Sequence, residues 1–285
     1  MSYNPQLLTP ARVHLAYPID VSKGELVRIE GLSYGGKFYP VKVKALGYLE
    51  EPRDGMPYFL RGVVLRGGNP SKVWNGSETF RVYLPHGVSL NPGLKVEVLG
   101  IVRLYSTITL YVSSSEDLQV LGTAEEKSIE RVGVGEIAVG RCLVLGKTSR
   151  YLRLNCTELK LYGFTARVGD EVQFKALRRE SSLLCLNCSV IKPREELPNG
   201  ICQFRDGHFA KISGRVAWIR VYKNGFGLAN VTNGTCWILL KLPSRLSVSL
   251  RENESLTAYG FFTTYRGIPA FKVESGEDVC LGRFC

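Results

Sequence analysis

The 285-residue chain carries 37 Lys and Arg against 26 Asp and Glu, a formal net charge of +11, with 45% apolar and 22% charged residues. These proportions exclude wholesale disorder, and no apolar run approaches the roughly 18 residues that a membrane span needs. Length sets two domains or three small ones as the prior, and a basic balance of this kind points to a polyanion, most often nucleic acid.

The chain opens Met1-Ser-Tyr-Asn-Pro-Gln, with no cationic region followed by an apolar stretch, so a cytoplasmic protein is expected. Val41-Lys-Val-Lys-Ala, Thr79-Phe-Arg-Val-Tyr-Leu, Lys95-Val-Glu-Val-Leu and Tyr151-Leu-Arg-Leu-Asn-Cys then alternate apolar and polar residues. Period-two patterning of this kind buries one face of a sheet and solvates the other. Turn signals separate the runs: Arg53-Asp-Gly, Gly67-Gly-Asn-Pro, Asn91-Pro-Gly, Lys223-Asn-Gly and Thr232-Asn-Gly. Short helices are expected only at Thr123 to Arg131 and Ser247 to Asn253. The fold class read from this pattern is all-β, with many short strands arranged in small barrels.

Polar stretches at 122–131 and 192–200 divide the chain into blocks 1–120, 121–195 and 196–285. These blocks carry 13, 13 and 11 cations against 10, 9 and 7 anions, so all three are basic. That favours one continuous track for a polyanion over a single basic tail.

The first and third blocks repeat one another. Thr79-Phe-Arg-Val-Tyr-Leu-Pro85 is followed by Gly100, Tyr105 and Tyr111; Cys236-Trp-Ile-Leu-Leu-Lys-Leu-Pro243 is followed by Gly260, Tyr265 and Phe271. Each glycine precedes its aromatics by five and eleven residues, and a glycine inside a strand marks a bulge or a barrel corner. The second block is a shorter version, opening with Val139-Gly-Arg-Cys-Leu-Val where the third has Ser213-Gly-Arg-Val-Ala-Trp. Five strands with a glycine-kinked first strand suit an OB-fold barrel, so three tandem five-stranded barrels are expected: 1–120 with an N-terminal extension, 121–195 and 196–285. Glu25-Leu-Val-Arg-Ile-Glu30 is expected to add one strand to the first barrel.

The third block, from Ile212-Ser-Gly-Arg-Val-Ala-Trp218 to Phe271-Lys-Val-Glu-Ser-Gly276, resembles OB-fold nucleic-acid-binding domains of the replication protein A and archaeal single-strand-binding type. The resemblance covers about seventy-five residues well, the first block fairly and the second loosely. It implies a partner in single-stranded DNA or RNA.

In such barrels the ligand crosses strands two and three, flanked by the loops joining strands one to two and four to five. In the third block this singles out Trp218, Arg220, Tyr222, Lys223 and Phe226 at the first loop, Trp237 and Lys241 on strand three, and Tyr265 and Arg266 at the second loop. The first block offers Tyr48, Arg53 and Tyr58 at the first loop, Phe80, Arg81 and Tyr83 on strand three, and Arg103 and Tyr105 at the second. The second block offers Arg150, Tyr151, Arg153, Lys160 and Tyr162, then Arg178 and Arg179. Exposed rings stack on bases of any identity, while Arg and Lys neutralise phosphates. Aromatics of a β-protein more often fill its core, which is the simpler reading of Phe80, Phe174 and Phe271; the face taken by Trp237 is open.

Eight cysteines without an export signal suggest reduced thiols, metal, or the disulfides of a heat-adapted cytoplasm. Only four Gln and two Met fit a thermophile, and six Asn-x-Ser/Thr sequons read as turn composition. Cys185-Leu-Asn-Cys188 is half a zinc site, but residues three apart on a strand face opposite ways. The expectation is therefore no metal. Disulfides are expected between Cys142 and Cys156 or Cys188 and between Cys236 and Cys280, with Cys285 pairing with Cys280 or linking to another chain.

His14, His86 and His208 are scattered and no phosphate-cradling Gly-x-x-x-x-Gly-Lys occurs, so neither catalysis nor a cofactor is expected. The expected function is binding of single-stranded nucleic acid, single-stranded DNA first, with little sequence preference, in replication or repair in an archaeal thermophile. Replication or repair proteins are further expected partners. Two alternatives stand beside it: a scaffold whose barrels hold other proteins in a larger nucleoprotein assembly, and a module for structured RNA or tRNA.

Overall fold

The computed structural model describes residues 13–246 and 249–282. It forms two compact units. One takes the chain up to Glu125 together with Gly133–Ile137; the other takes Glu126–Val132 and the chain from Ala138 onward.

In the first unit β1 (Leu26–Tyr34) and β2 (Lys37–Gly47) form a two-stranded antiparallel ribbon. β3 (Pro57–Arg66), β4 (Ser71–Trp74), β5 (Thr79–Tyr83), β6 (Leu94–Leu104) and β7 (Ile108–Tyr111) then pair in the order β3-β4-β5-β7-β6. A β3–β6 ladder closes this sheet into a barrel, and β8 (Leu118–Thr123) adds to β6. The β5–β7 pair alone is parallel.

The second unit holds two sheets with the same wiring. After β9 (Glu126–Ser128), the strands β10 (Ile137–Lys147), β11 (Tyr151–Leu154), β12 (Thr157–Tyr162), β13 (Glu171–Arg178) and β14 (Ser182–Lys192) close through β10. Then β15 (Phe209–Val221), β16 (Gly227–Thr232), β17 (Trp237–Leu242), β18 (Ser255–Tyr265) and β19 (Ile268–Lys272) close through β15–β18, with β20 (Val279–Leu281) on β18. The pairs β12–β14 and β17–β19 are parallel. Three small five-stranded barrels therefore follow one another, as an all-β OB-like chain requires.

Alternation accounts for each core. Val96, Val98 and Val102 on β6 point inward beside Phe80, Val82 and Leu110; Val172 and Phe174 do so in the second barrel, and Ile238, Leu240, Phe262 and Phe271 in the third. Phe80, Phe174 and Phe271 are fully buried, one per barrel. The mid-strand glycines allow β-strands to come close. A Cβ on Gly100 would lie 2.7 Å from the Tyr111 carbonyl oxygen, and one on Gly260 would lie 2.2 Å from that of Lys272.

Several expectations are corrected. Glu25–Glu30 adds nothing to the first barrel; it enters the separate ribbon. Residues 123–131 are the end of β8, the strand β9 and a turn rather than a helix, because Lys127 and its neighbours continue the strand pattern toward β10. Residues 249–253 are also irregular; Ser247 and Val248, the start of that second helix candidate, lie outside the described residues.

The disulfides are Cys142–Cys156, as one of the expected pairings had it, Cys185–Cys188, and Cys202–Cys236. Cys236 is thus not paired with Cys280, nor Cys142 with Cys188. The argument that Cys185 and Cys188 face apart fails at a β-bulge: Lys175 pairs with Asn187 and Ala176 with Cys185, so Leu186 is an extra residue and restores a shared face. Cys280 is also disulfide-bonded; the expected partner Cys285 lies outside the described residues.

Candidate nucleic-acid interface

In the third barrel the first loop, Tyr222–Phe226, and the second loop, Arg266–Gly267, meet at one end. Phe226 lies between Tyr222 (ring centroids 5.9 Å apart) and Tyr265 (6.1 Å). Three cations face these rings: Arg220 over Tyr222 at 5.2 Å, Arg266 over Tyr265 at 5.5 Å and Lys241 over Tyr265 at 5.9 Å. The second loop is a two-residue hairpin with positive φ at both Arg266 (50°) and Gly267 (80°), as a type I′ turn demands. That turn sets Arg266 beside Tyr265. Trp218 pairs with Asn230 and stands on the face that carries Leu239, and Trp237 pairs with Thr232 at the far end of β17. Trp237 is 51% exposed, which settles its face as outward. Lys223 occupies the first loop.

The first barrel presents a cationic row and an aromatic row. Lys72 pairs with Arg81, Arg81 with Thr109 and Thr109 with Arg103, so three cations cross four strands on one face. One step along, Tyr83 and Tyr111 lie side by side on β5 and β7, rings stacked at 4.9 Å and 5° from parallel. Tyr105, at 65% exposure on the second loop, completes the group. Desolvation first, then the neighbouring Tyr105 and Tyr83 phenols, raise the Tyr111 phenol above the ordinary tyrosine value of 10.0, with Arg81 opposing. The Tyr111 phenol stays a neutral hydrogen-bond donor at physiological pH.

Other first-block residues sit elsewhere than expected. The first loop is Gly67–Pro70, between β3 and β4. Tyr58 lies within β3, 9% exposed and stacked on Phe80 at 5.7 Å, so it is core. Tyr48 stacks on Phe59 at 5.0 Å. Arg53 belongs to a turn whose Asp54 accepts from the Leu104 amide (2.9 Å) and faces Arg103 at 3.5 Å, which puts it near the second loop instead. The aromatic-and-basic composition before β3 imitated a loop. The residues missed are Lys72 and Trp74 on β4, signalled by the Gly-Gly-Asn-Pro turn just before them.

In the second barrel Tyr151 and Tyr162 pair across β11 and β12, rings 5.6 Å apart, with the Lys160 ammonium 4.8 Å from the Tyr151 centroid. The Arg153 guanidinium lies across Gly146, where an added Cβ would come within 2.5 Å of its Nε. Arg150 is exposed in the first loop. Arg178 turns into its own loop and donates to the Glu180 carbonyl at 3.3 Å. Arg179 donates its amide to the Ser182 carbonyl in that same hairpin. Arg153 and Lys147 line a cleft of about 500 Å³ together with Arg167, Arg194 and Asp278. Among the described residues no group of three or more His, Cys, Asp or Glu is placed to hold a metal ion.

No family model matches the chain, and no curated protein matches it. Similar solved structures include a HINb domain of p204 (10% identity, 51% of this chain and 96% of that one, TM-score 0.30). An Ifi202 HINa domain solved with a 20bp dsDNA is also similar (10%, 50% and 94%, TM-score 0.29). So is a murine DNA binding protein bound with ds DNA (10%, 79% and 97%, TM-score 0.27).

Proposed function

We propose that this chain binds single-stranded nucleic acid, single-stranded DNA in the first place, with little preference for sequence. The observation that carries the reading is the Tyr222–Phe226–Tyr265 group, in which three rings and three cations converge where the two loops of a barrel meet. Every base has a π-face, so a ring platform accepts any of them, at about 1–3 kcal/mol per stacked base. Adjacent guanidinium and ammonium groups replace counterions along the phosphates. The rows Lys72–Arg81–Arg103 and Tyr83–Tyr111 offer the same pair of functions in the first barrel.

On this reading the chain is a binding protein rather than an enzyme, and it covers exposed strands during replication or repair. The test is a fluorescence-anisotropy titration of labelled oligothymidine at low salt. Saturable binding is expected; its absence at low salt removes the proposal.

A further inference from the structure

The ribbon β1–β2 belongs to none of the barrels, and its register sorts its side chains sharply. Arg28 is opposite Lys44, Glu30 opposite Lys42, Leu32 opposite Tyr39 and Tyr34 opposite Lys37, and residues directly opposite share a face. All five charged residues of the ribbon therefore stand on one face, four of them cations. Leu32 and Tyr34 on that face are 71% and 79% exposed. The other face carries Val27, Ile29, Phe38 and Pro40, which are partly or wholly buried, together with the exposed Ser33, Val43 and Ala45.

Like charges directly across an antiparallel ladder destabilise it, and Arg28 and Lys44 are placed just so. Arg28 has Glu30 at 3.4 Å, but among the described residues no carboxylate pairs with Lys37, Lys42 or Lys44. The face thus carries four cations against one carboxylate, Glu30, with the rings of Tyr34 and Tyr39 at its tip.

The ribbon is also held in place. Lys23, just before β1, bonds Asp117 at 2.6 Å, and Tyr48, just after β2, stacks on Phe59 of β3. Apart from one bridge from Leu15 to Phe38, no further strand lies along it among the described residues. The major groove of a duplex, about 12 Å across, admits a two-stranded β-ribbon.

We infer that the β1–β2 ribbon is a second nucleic-acid site, one that grips duplex rather than single strand. Lys37, Lys42 and Lys44 meet the phosphates and Tyr34 and Leu32 lie at the groove. The inference rests on the reading of the chain as a nucleic-acid-binding protein and extends it. With a single-strand site on the barrels and a duplex site on the ribbon, the preferred ligand is a duplex carrying a single-stranded tail.

The experiment compares oligothymidine, a blunt duplex and a tailed duplex, each titrated over a salt series with the full chain and with its K37S/K42S/K44S variant. The wild type should bind the tailed duplex more tightly than either part. The variant should lose about tenfold on blunt and tailed duplex, and its log–log salt slope there should shrink by about 2 to 3, near one for each phosphate that a lysine no longer neutralises. Its oligothymidine affinity and melting temperature should stay unchanged. A Y34A/L32S variant, altered only at exposed tip positions, should weaken duplex binding without altering the salt slope.

Equal losses on oligothymidine and duplex would overturn the assignment, as would unchanged duplex binding. A change of sedimentation in place of a change of affinity would overturn it too, by showing that the ribbon meets a second copy instead. Failure of the wild type on oligothymidine alone, with duplex binding intact, would sink the barrel reading and leave the ribbon standing.

Discussion

Arg194 and Asp278 form a buried ion pair, Nη1 to Oδ1 at 2.7 Å, that joins the segment after the second barrel to the single turn before the last strand of the third. The same guanidinium donates to the Glu277 carbonyl at 2.8 Å and lies 4.3 Å from the Tyr259 ring centroid, while the Arg194 amide donates to Asp170 at 2.9 Å. One side chain thus ties two barrels of the second unit together.

Removing the cation leaves Asp278 buried without its partner, a loss of about 3–5 kcal/mol. Burial raises the Asp278 carboxyl above its ordinary 3.8, and the Arg194 hydrogen bond and charge pull it back. In Arg194→Met that opposing pull is gone and the folded-state value rises further. A carboxyl with a raised folded-state value contributes stability below its unfolded value and loses it as pH climbs through the folded one. The deficit of Arg194→Met should therefore be greatest near neutral pH and shrink as the solution is acidified toward that ordinary value, as denaturant midpoints will show.

Tyr111 and Phe271 each follow a strand glycine by eleven residues, yet Tyr111 is exposed and Phe271 fully buried. Ile101 pairs with Tyr111 but Phe261 pairs with Lys272, so the third hairpin is longer by one residue and the face flips. Phe271→Ala should cost about 3–5 kcal/mol of stability. Tyr111→Ala should leave the melting temperature alone and weaken oligothymidine binding.

That contrast marks what the amino-acid order reveals and what it hides. Strand class, the three barrels and the two loops of the third barrel follow from alternation and Gly-containing turns, which are local. Face assignment depends on hairpin length and bulges, which act across strands: Leu186 brings Cys185 and Cys188 together, and a one-residue difference separates Tyr111 from Phe271. Tyr48, Arg53 and Tyr58 have a loop's composition, while Gly67–Pro70 makes the actual turn.

Gly260→Ala should open the third barrel. Its Cβ would meet the Lys272 carbonyl oxygen at 2.2 Å, backbone against backbone, so β18 and β19 must separate. Overpacking of this kind costs about 1–3 kcal/mol or more. A lowered melting temperature with faster amide exchange along β19 is the expected pattern.

Cys202–Cys236 spans 34 residues and Cys142–Cys156 spans 14, whereas Cys185–Cys188 spans 3. Because a cross-link restricts the unfolded chain more as its loop lengthens, C202S/C236S should cost about 3–4 kcal/mol and C185S/C188S much less. Chemical denaturation of the two double variants ranks them.

All three tryptophans, Trp74, Trp218 and Trp237, stand on outward faces of the first and third barrels. Intrinsic fluorescence titrated with unlabelled oligothymidine therefore reads base stacking at the barrel surfaces themselves. Saturable quenching should appear at low salt, and its midpoint should move to higher oligothymidine concentration as salt rises. Emission unmoved by excess oligothymidine at low salt, or a midpoint indifferent to salt, would contradict the assignment of these faces to single-stranded nucleic acid.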